Sequence, residues 1–282
     1  ARAALLQKPN SLGRIVMLGT PNFGSFSPIQ AFRGVHSIVK KVDFIDPFHS
    51  AAELAAIFGT FPGLSEMLPS QQKYPADFFQ LTSWPTSGPH PTQAMLTASA
   101  KVQNSLPTAY DEIFIIAGVN QDTVIDARVK NDEFVYVRSQ EGDGTVPLKC
   151  VLLPTAKQTY YVEEEHGSLP NNSAVARAID SILATGATTE LPTEPRQQRA
   201  GRVREVSELA LPAQPYQGNE GRRLSAREKR VIVEEVAAPD KSSPAVTALD
   251  VLSPAPAAGP DAAIADSIVI GRRRQHRLDV TL

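Results

Sequence analysis

With 282 residues and 42% hydrophobic content, the chain can bury one large core or two small ones. Its formal net charge of -2 gives no general attraction to nucleic acid or to an anionic membrane, so neither is expected as a partner. Cys150 is the only cysteine, which excludes an internal disulfide framework, and no apolar run approaches the roughly 20 residues of a transmembrane segment.

Residues 1–8 are strong helix formers, and Pro9, Asn10, Ser11 and Gly13 stop that helix. A chain that opens at Ala1 in mid-helix predicts an N-terminal truncation, and a lost signal peptide is compatible with that start. Residues 14–19, Arg-Ile-Val-Met-Leu-Gly, form a continuous apolar run of strand length, the pattern of a parallel strand covered on both faces. It ends in a loop of turn formers, Thr20-Pro21-Asn22-Phe23-Gly24-Ser25. The next such run, at 112–118, lies roughly 90 residues on, far beyond an ordinary connection, and predicts an insert over about 26–110. That insert holds much of the aromatic content, Phe26, Phe32, Phe44, Phe48, Phe58, Phe61, Phe78, Phe79 and Trp84, with helical stretches such as 51–58. Two readings stay open for it: helices that simply pack on the sheet, or a cap whose apolar inner face receives a hydrophobic substrate.

A further strand is expected at 157–162, and 172–183 repeats its apolar residues at i, i+3, i+4 behind Asn172 and Ser173, which predicts a helix. The order helix, strand, insert, strand, strand, helix predicts an α/β protein over residues 1–186. Beyond it, 187–245 read as a linker or charged extension with Pro192, Pro195, Arg196, Arg199, Arg202 and Arg204. The stretch 253–260 reads as a Pro/Ala spacer, and 227–235 and 267–271 as pieces of a partial additional module centred on 246–282. The close at Val280-Thr281-Leu282 is strand-like and predicts a C-terminal truncation as well. Arginine clusters at 196–204 and 272–277 have no aromatic companions, so a solvated face or a protein partner through 187–282 is expected rather than a nucleic-acid site.

Chemistry concentrates in two places. Asp143 sits between Gly142 and Gly144, and His166 follows 23 residues later, behind Glu163, Glu164 and Glu165 and at the end of the expected strand. Alone, a Gly-Asp-Gly is a turn and a strand-end histidine a surface or capping residue. Together, in this order, they match the demands of nucleophilic hydrolysis, with an imidazole as base and a carboxylate fixing its tautomer. Any of the three glutamates could compete for that orienting role. The nucleophile elbow Gly-x-Ser-x-Gly does not occur in the 282 residues, and Gly24-Ser25-Phe26-Ser27-Pro28 and His166-Gly167-Ser168 lack its small-residue frame. No glycine-rich phosphate loop follows residues 14–19, which disfavours a nucleotide-binding domain.

The series Gly19-Thr20-Pro21-Asn22-Phe23-Gly24-Ser25, Gly142-Asp143-Gly144-Thr145-Val146 and His166-Gly167-Ser168 resembles the second half of a lecithin:cholesterol acyltransferase-like α/β hydrolase, over about residues 1–183. The resemblance implies the C-terminal half of an α/β-hydrolase fold with a helical cap. It makes Asp143 the triad acid and His166 the general base, and puts the serine and its oxyanion donors before Ala1. The activity it implies is that of a serine esterase, lipase or O-acyltransferase on lipid-like esters, with no metal or organic cofactor. The other reading is a hydrolase-like scaffold without catalysis, used for protein interaction or regulation.

Overall fold

The apolar runs at 14–19 and 112–118 become neighbouring parallel strands. β1 (Ile15–Leu18) pairs with β2 (Ile113–Gly118) from Ile15 opposite Ile113 to Leu18 opposite Ile116, and β5 (Gln158–Val162) lies on the other side of β2 in the computed structural model. Residues 2–3, 13–46, 48–108, 110–195, 203–211 and 225–237 are described. Of the predicted first helix only Arg2 and Ala3 fall among these residues, and both are helical. The spacer at 253–260, the run at 267–271 and the partial module at 246–282 lie outside the described residues, as do most of the arginine clusters.

β2 is buried along its whole length, and its alternation divides it between two cores. Ile113, Ile115 and Ala117 join Met17 and the aromatic side chains of the insert. Phe114 and Ile116 face the other way, onto Tyr160 and α7 (Ser173–Thr185), which buries Val175, Ala178 and Ile182. Each Val, Ile or Phe side chain so buried contributes about 1.5–3 kcal/mol. Asn172 starts α7 by accepting hydrogen bonds from Ala174 N and Val175 N, and Gly186, at φ 85°, ends it.

The predicted insert is helical. Between β1 and β2 come α1 (Ser27–Phe32), α2 (Ser37–Ile45), α3 (Ala51–Phe58), α4 (Pro62–Ser65) and α5 (Gln93–Ser105). Most of its aromatic side chains serve the core. Phe26 meets Phe78 edge-on at 5.8 Å, and Trp84 meets Phe134 at 5.5 Å, whereas Phe48 and Phe61 are exposed.

Phe134 belongs to a second, antiparallel sheet. β3 (Thr123–Lys130) and β4 (Glu133–Ser139) form a hairpin whose two turn residues, Asn131 and Asp132, both have positive φ, 52° and 60°. That backbone matches the right-handed twist of the strands it joins. β6 (Arg204–Ser207) then pairs with β4, Val206 opposite Tyr136. Composition reads 187–245 as linker, yet Arg204–Ser207 complete a sheet, a 3₁₀ turn follows at Glu208–Ala210, and residues 226–237 form α8 (Ala226–Ala237), which packs on α2. The reason is the free edge of β4, whose backbone groups need partners that only a distant segment supplies. Just past β6, Glu208 forms a buried ion pair with Arg33 at 2.9 Å and accepts a hydrogen bond from Phe134 N at 3.2 Å. The chain is thus a mixed α/β protein with two three-stranded sheets among the described residues. No helix among them is long and apolar enough to cross a membrane.

Candidate active site

Asp143 lies 25 residues beyond the end of β2, yet it stands against that end. The β3–β4 hairpin leaves the sheet and returns: Gln121 N donates to Gly142 O at 3.0 Å, and Gly144 N donates to Thr123 Oγ1 at 2.8 Å. Packing at the return point admits no side chain on β2's last residue. A Cβ on Gly118 would stand 2.6 Å from Asp143 Cβ, and one on Gly142 would stand 2.5 Å from Val146 O.

The Asp143 carboxylate is fully buried and divided between two tasks. Oδ1 accepts from Val146 N at 2.7 Å and Thr145 N at 3.1 Å, which fixes the plane of the group. Oδ2 lies 2.8 Å from His166 Nδ1, and a second link runs through the backbone, from His166 N to Asp143 O at 2.8 Å. An ionised carboxylate can only accept, so Nδ1 carries the proton, and a neutral ring then has its lone pair on Nε2. His166 itself follows β5, at the start of a 3₁₀ turn, His166–Asn171. Its side chain is 32% exposed, so a buried acid holds an accessible imidazole.

Of the residues singled out by sequence, Asp143 and His166 are brought together. Asp143 holds the Nδ1 position, while Glu164 accepts from Asn172 Nδ2 and from Glu165 N, each at 3.0 Å, and Glu163 is exposed. Gly19 was not foreseen as part of the site. At φ 50° it ends β1 so close to the pair that a Cβ would stand 2.7 Å from Asp143 Oδ2 and 3.0 Å from His166 Nδ1. A glycine ending an apolar strand was the available signal.

His166 opens onto a cavity of about 550 Å³. Gly144, Thr145 and Val146 border it on the side of the acid loop, and the insert supplies Ala31, Val39, Phe58, Leu64 and Met67. The insert thus packs on the sheet and also walls the cavity. Ser25 and Ser27 line the same cavity, and Ser168 is buried in the 3₁₀ turn. His36, Lys40 and Arg138 also reach it, and nothing in their local sequence announced this. Burial, with help from the charge of Lys41, pushes the His36 imidazole down to about 4. It is neutral near pH 7, as its capping role requires, since Nδ1 accepts from Ile38 N at 3.2 Å.

Cys150 is buried with Sγ 3.5 Å from the Tyr74 hydroxyl, and burial pushes its thiol up to about 11, so it is no thiolate nucleophile. Among the described residues no group of three or more His, Cys, Asp or Glu side chains is placed to hold a metal ion. No protein-family model and no curated protein matches the chain.

Proposed function

We propose that the chain carries the acid and base of a serine hydrolase or O-acyltransferase acting on esters of lipid-like substrates, on an α/β-hydrolase framework of the lecithin:cholesterol acyltransferase-like kind. The observation that carries this reading is the buried Asp143 carboxylate 2.8 Å from Nδ1 of a cavity-facing His166. Both groups stand at the carboxyl ends of parallel strands, where open α/β sheets gather their functional loops.

In the proposed mechanism, Asp143 holds the Nδ1–H tautomer, and Nε2 of His166 takes the proton of a serine hydroxyl as it attacks the ester carbonyl. The ester C–O bond then breaks, the leaving alkoxide receives that proton, and the acyl group stays on the serine until water or an alcohol accepts it. Asp143 stabilises the imidazolium throughout without being protonated. The apolar wall of Val39, Phe58, Leu64 and Met67 takes up the acyl chain. By the resemblance, the serine and its oxyanion donors belong to a segment ahead of Ala1.

Fluorophosphonate labelling of the protein with that segment attached tests the reading. One labelled serine is expected, with the labelling rate falling by about 10²–10⁴ in His166→Ala. Absence of labelling, or labelling indifferent to His166→Ala, overturns it. The second reading is a hydrolase-like scaffold without catalysis that engages a protein partner through 187–282; an elbow ahead of Ala1 with its serine replaced would favour it. The same labelling separates the two.

A further inference from the structure

The cavity beside His166 carries an unbalanced charge. Among the described residues that line it, Arg138 and Lys40 are cationic and no Asp or Glu is present. Asp143, behind His166, lies fully buried and is committed to His166, Thr145 and Val146. His36 adds no charge near neutral pH because burial holds it in its neutral form.

Arg138 is positioned rather than loose. Its Nε donates to Asp122 Oδ2 and its Nη2 to Asp122 O, each at 3.1 Å, and its side chain is 24% exposed. The same Asp122 Oδ2 also accepts from Arg204 of β6. Two guanidiniums thus share one carboxylate, which offsets the charge of each only in part, and of the two it is Arg138 that lines the cavity. The bonds to Asp122 use donors on Nε and Nη2, so the fixed fork still presents Nη1. The apolar walls of the cavity strengthen the field of such a charge relative to open water.

From this we infer that the cavity selects ligands that combine an apolar chain with an anionic group, a carboxylate or a phosphate, and that Arg138 is the specificity-determining residue, with Lys40 as its auxiliary. The inference rests on the ester-hydrolase reading and deepens it. The apolar wall holds the chain of the substrate, and Arg138 holds an acidic group elsewhere on the same molecule.

The test is titration of the 282-residue protein with hexyl phosphate, heptanoate and 1-hexanol, followed by calorimetry and by the ring-proton signals of His166. At least one of the anions is expected to bind about tenfold more tightly than 1-hexanol at low salt, as a charge-assisted hydrogen bond gives. The tighter of the two identifies the acidic group. The gain shrinks at about 0.5 M salt, since Arg138 is partly exposed. Arg138→Gln abolishes the gain and leaves 1-hexanol binding unchanged, Arg138→Lys restores part of it, and Lys40→Gln weakens it. Asp122 keeps Arg204 as a partner in Arg138→Gln, so the hairpin remains paired. Equal affinity for all three ligands, or a gain that survives Arg138→Gln, overturns the inference and leaves the hydrolase reading standing. If 1-hexanol fails to shift His166, the apolar ester cavity is itself refuted, and the inference falls with it.

Discussion

A methyl group is the difference between a site that closes and one that does not at Gly19. Its positive φ and its approach to Asp143 Oδ2, Leu169 Cδ1 and His166 Nδ1 leave no room for Cβ. Gly19→Ala is therefore expected to cost roughly 2–4 kcal/mol, from overpacking and from the left-handed backbone together, read as a lower urea midpoint with an unchanged slope. At His36 the consequence is a pH dependence. The unfolded chain binds a proton on this ring below pH 6.5, whereas the folded chain refuses it until about 4. Its contribution to stability is complete above pH 6.5 and is lost as pH falls through that window, by about 3 kcal/mol at most. Urea midpoints between pH 7 and 4.5 check this: His36→Asn, which keeps an N-cap acceptor but cannot titrate, should show a shallower fall. Asp143 and His166 were legible because each sits where the chain must turn, the first between glycines and the second after a strand. His36, Lys40 and Arg138 were not, because a polar residue at a helix start or a strand end reads the same whether it faces solvent or a cavity.

Among the elements, those buried by local pattern were legible and those built by distant pairing were not. Strands β1, β2 and β5 and helices α3 and α7 follow from apolar runs, helical spacing and caps, and the structure places each within about two residues of its expected bounds. β3 escaped because Asp126, Arg128 and Lys130 break its apolar run, and β6 because its partner β4 lies far away in sequence. The tip of the hairpin is held by one side chain. Asp132 Oδ1 accepts from Thr86 N at 2.6 Å and Oδ2 from Ser87 N at 3.1 Å, and hydrogen bonds from Ser87 and Thr86 pull its carboxyl down to about 2. Asp132→Gly suits the turn but releases the loop, so the amides of Thr86 and Ser87 should exchange with solvent faster while the hairpin stays formed. At the other sheet face, Asn172→Ala removes the α7 cap and should cost about 1 kcal/mol in chemical denaturation.

For the molecule as a whole, the Arg33–Glu208 pair joins the helical insert to a segment 175 positions later. Both side chains are nearly buried, at 5% and 7% exposure, and Arg33 Nη1 also donates to Ser87 O and Pro89 O. Glu208→Ala strands a buried guanidinium and is expected to cost about 3–5 kcal/mol, far more than loss of an exposed pair such as Arg177–Glu190. Thermal unfolding of the two variants side by side tests the contrast. Composition alone could not show that a tail rich in charge and proline returns to the fold, because the feature that recruits it, the open edge of β4, exists only once the hairpin has formed. The pair also has a consequence in time. The two residues are 175 positions apart, and at a synthesis rate of about 5–20 residues per second Arg33 waits roughly 9–35 s on the ribosome before its carboxylate is made. During that interval the helices around the cavity lack one of their fixed points, so their packing is completed only when a segment 175 positions later has been made.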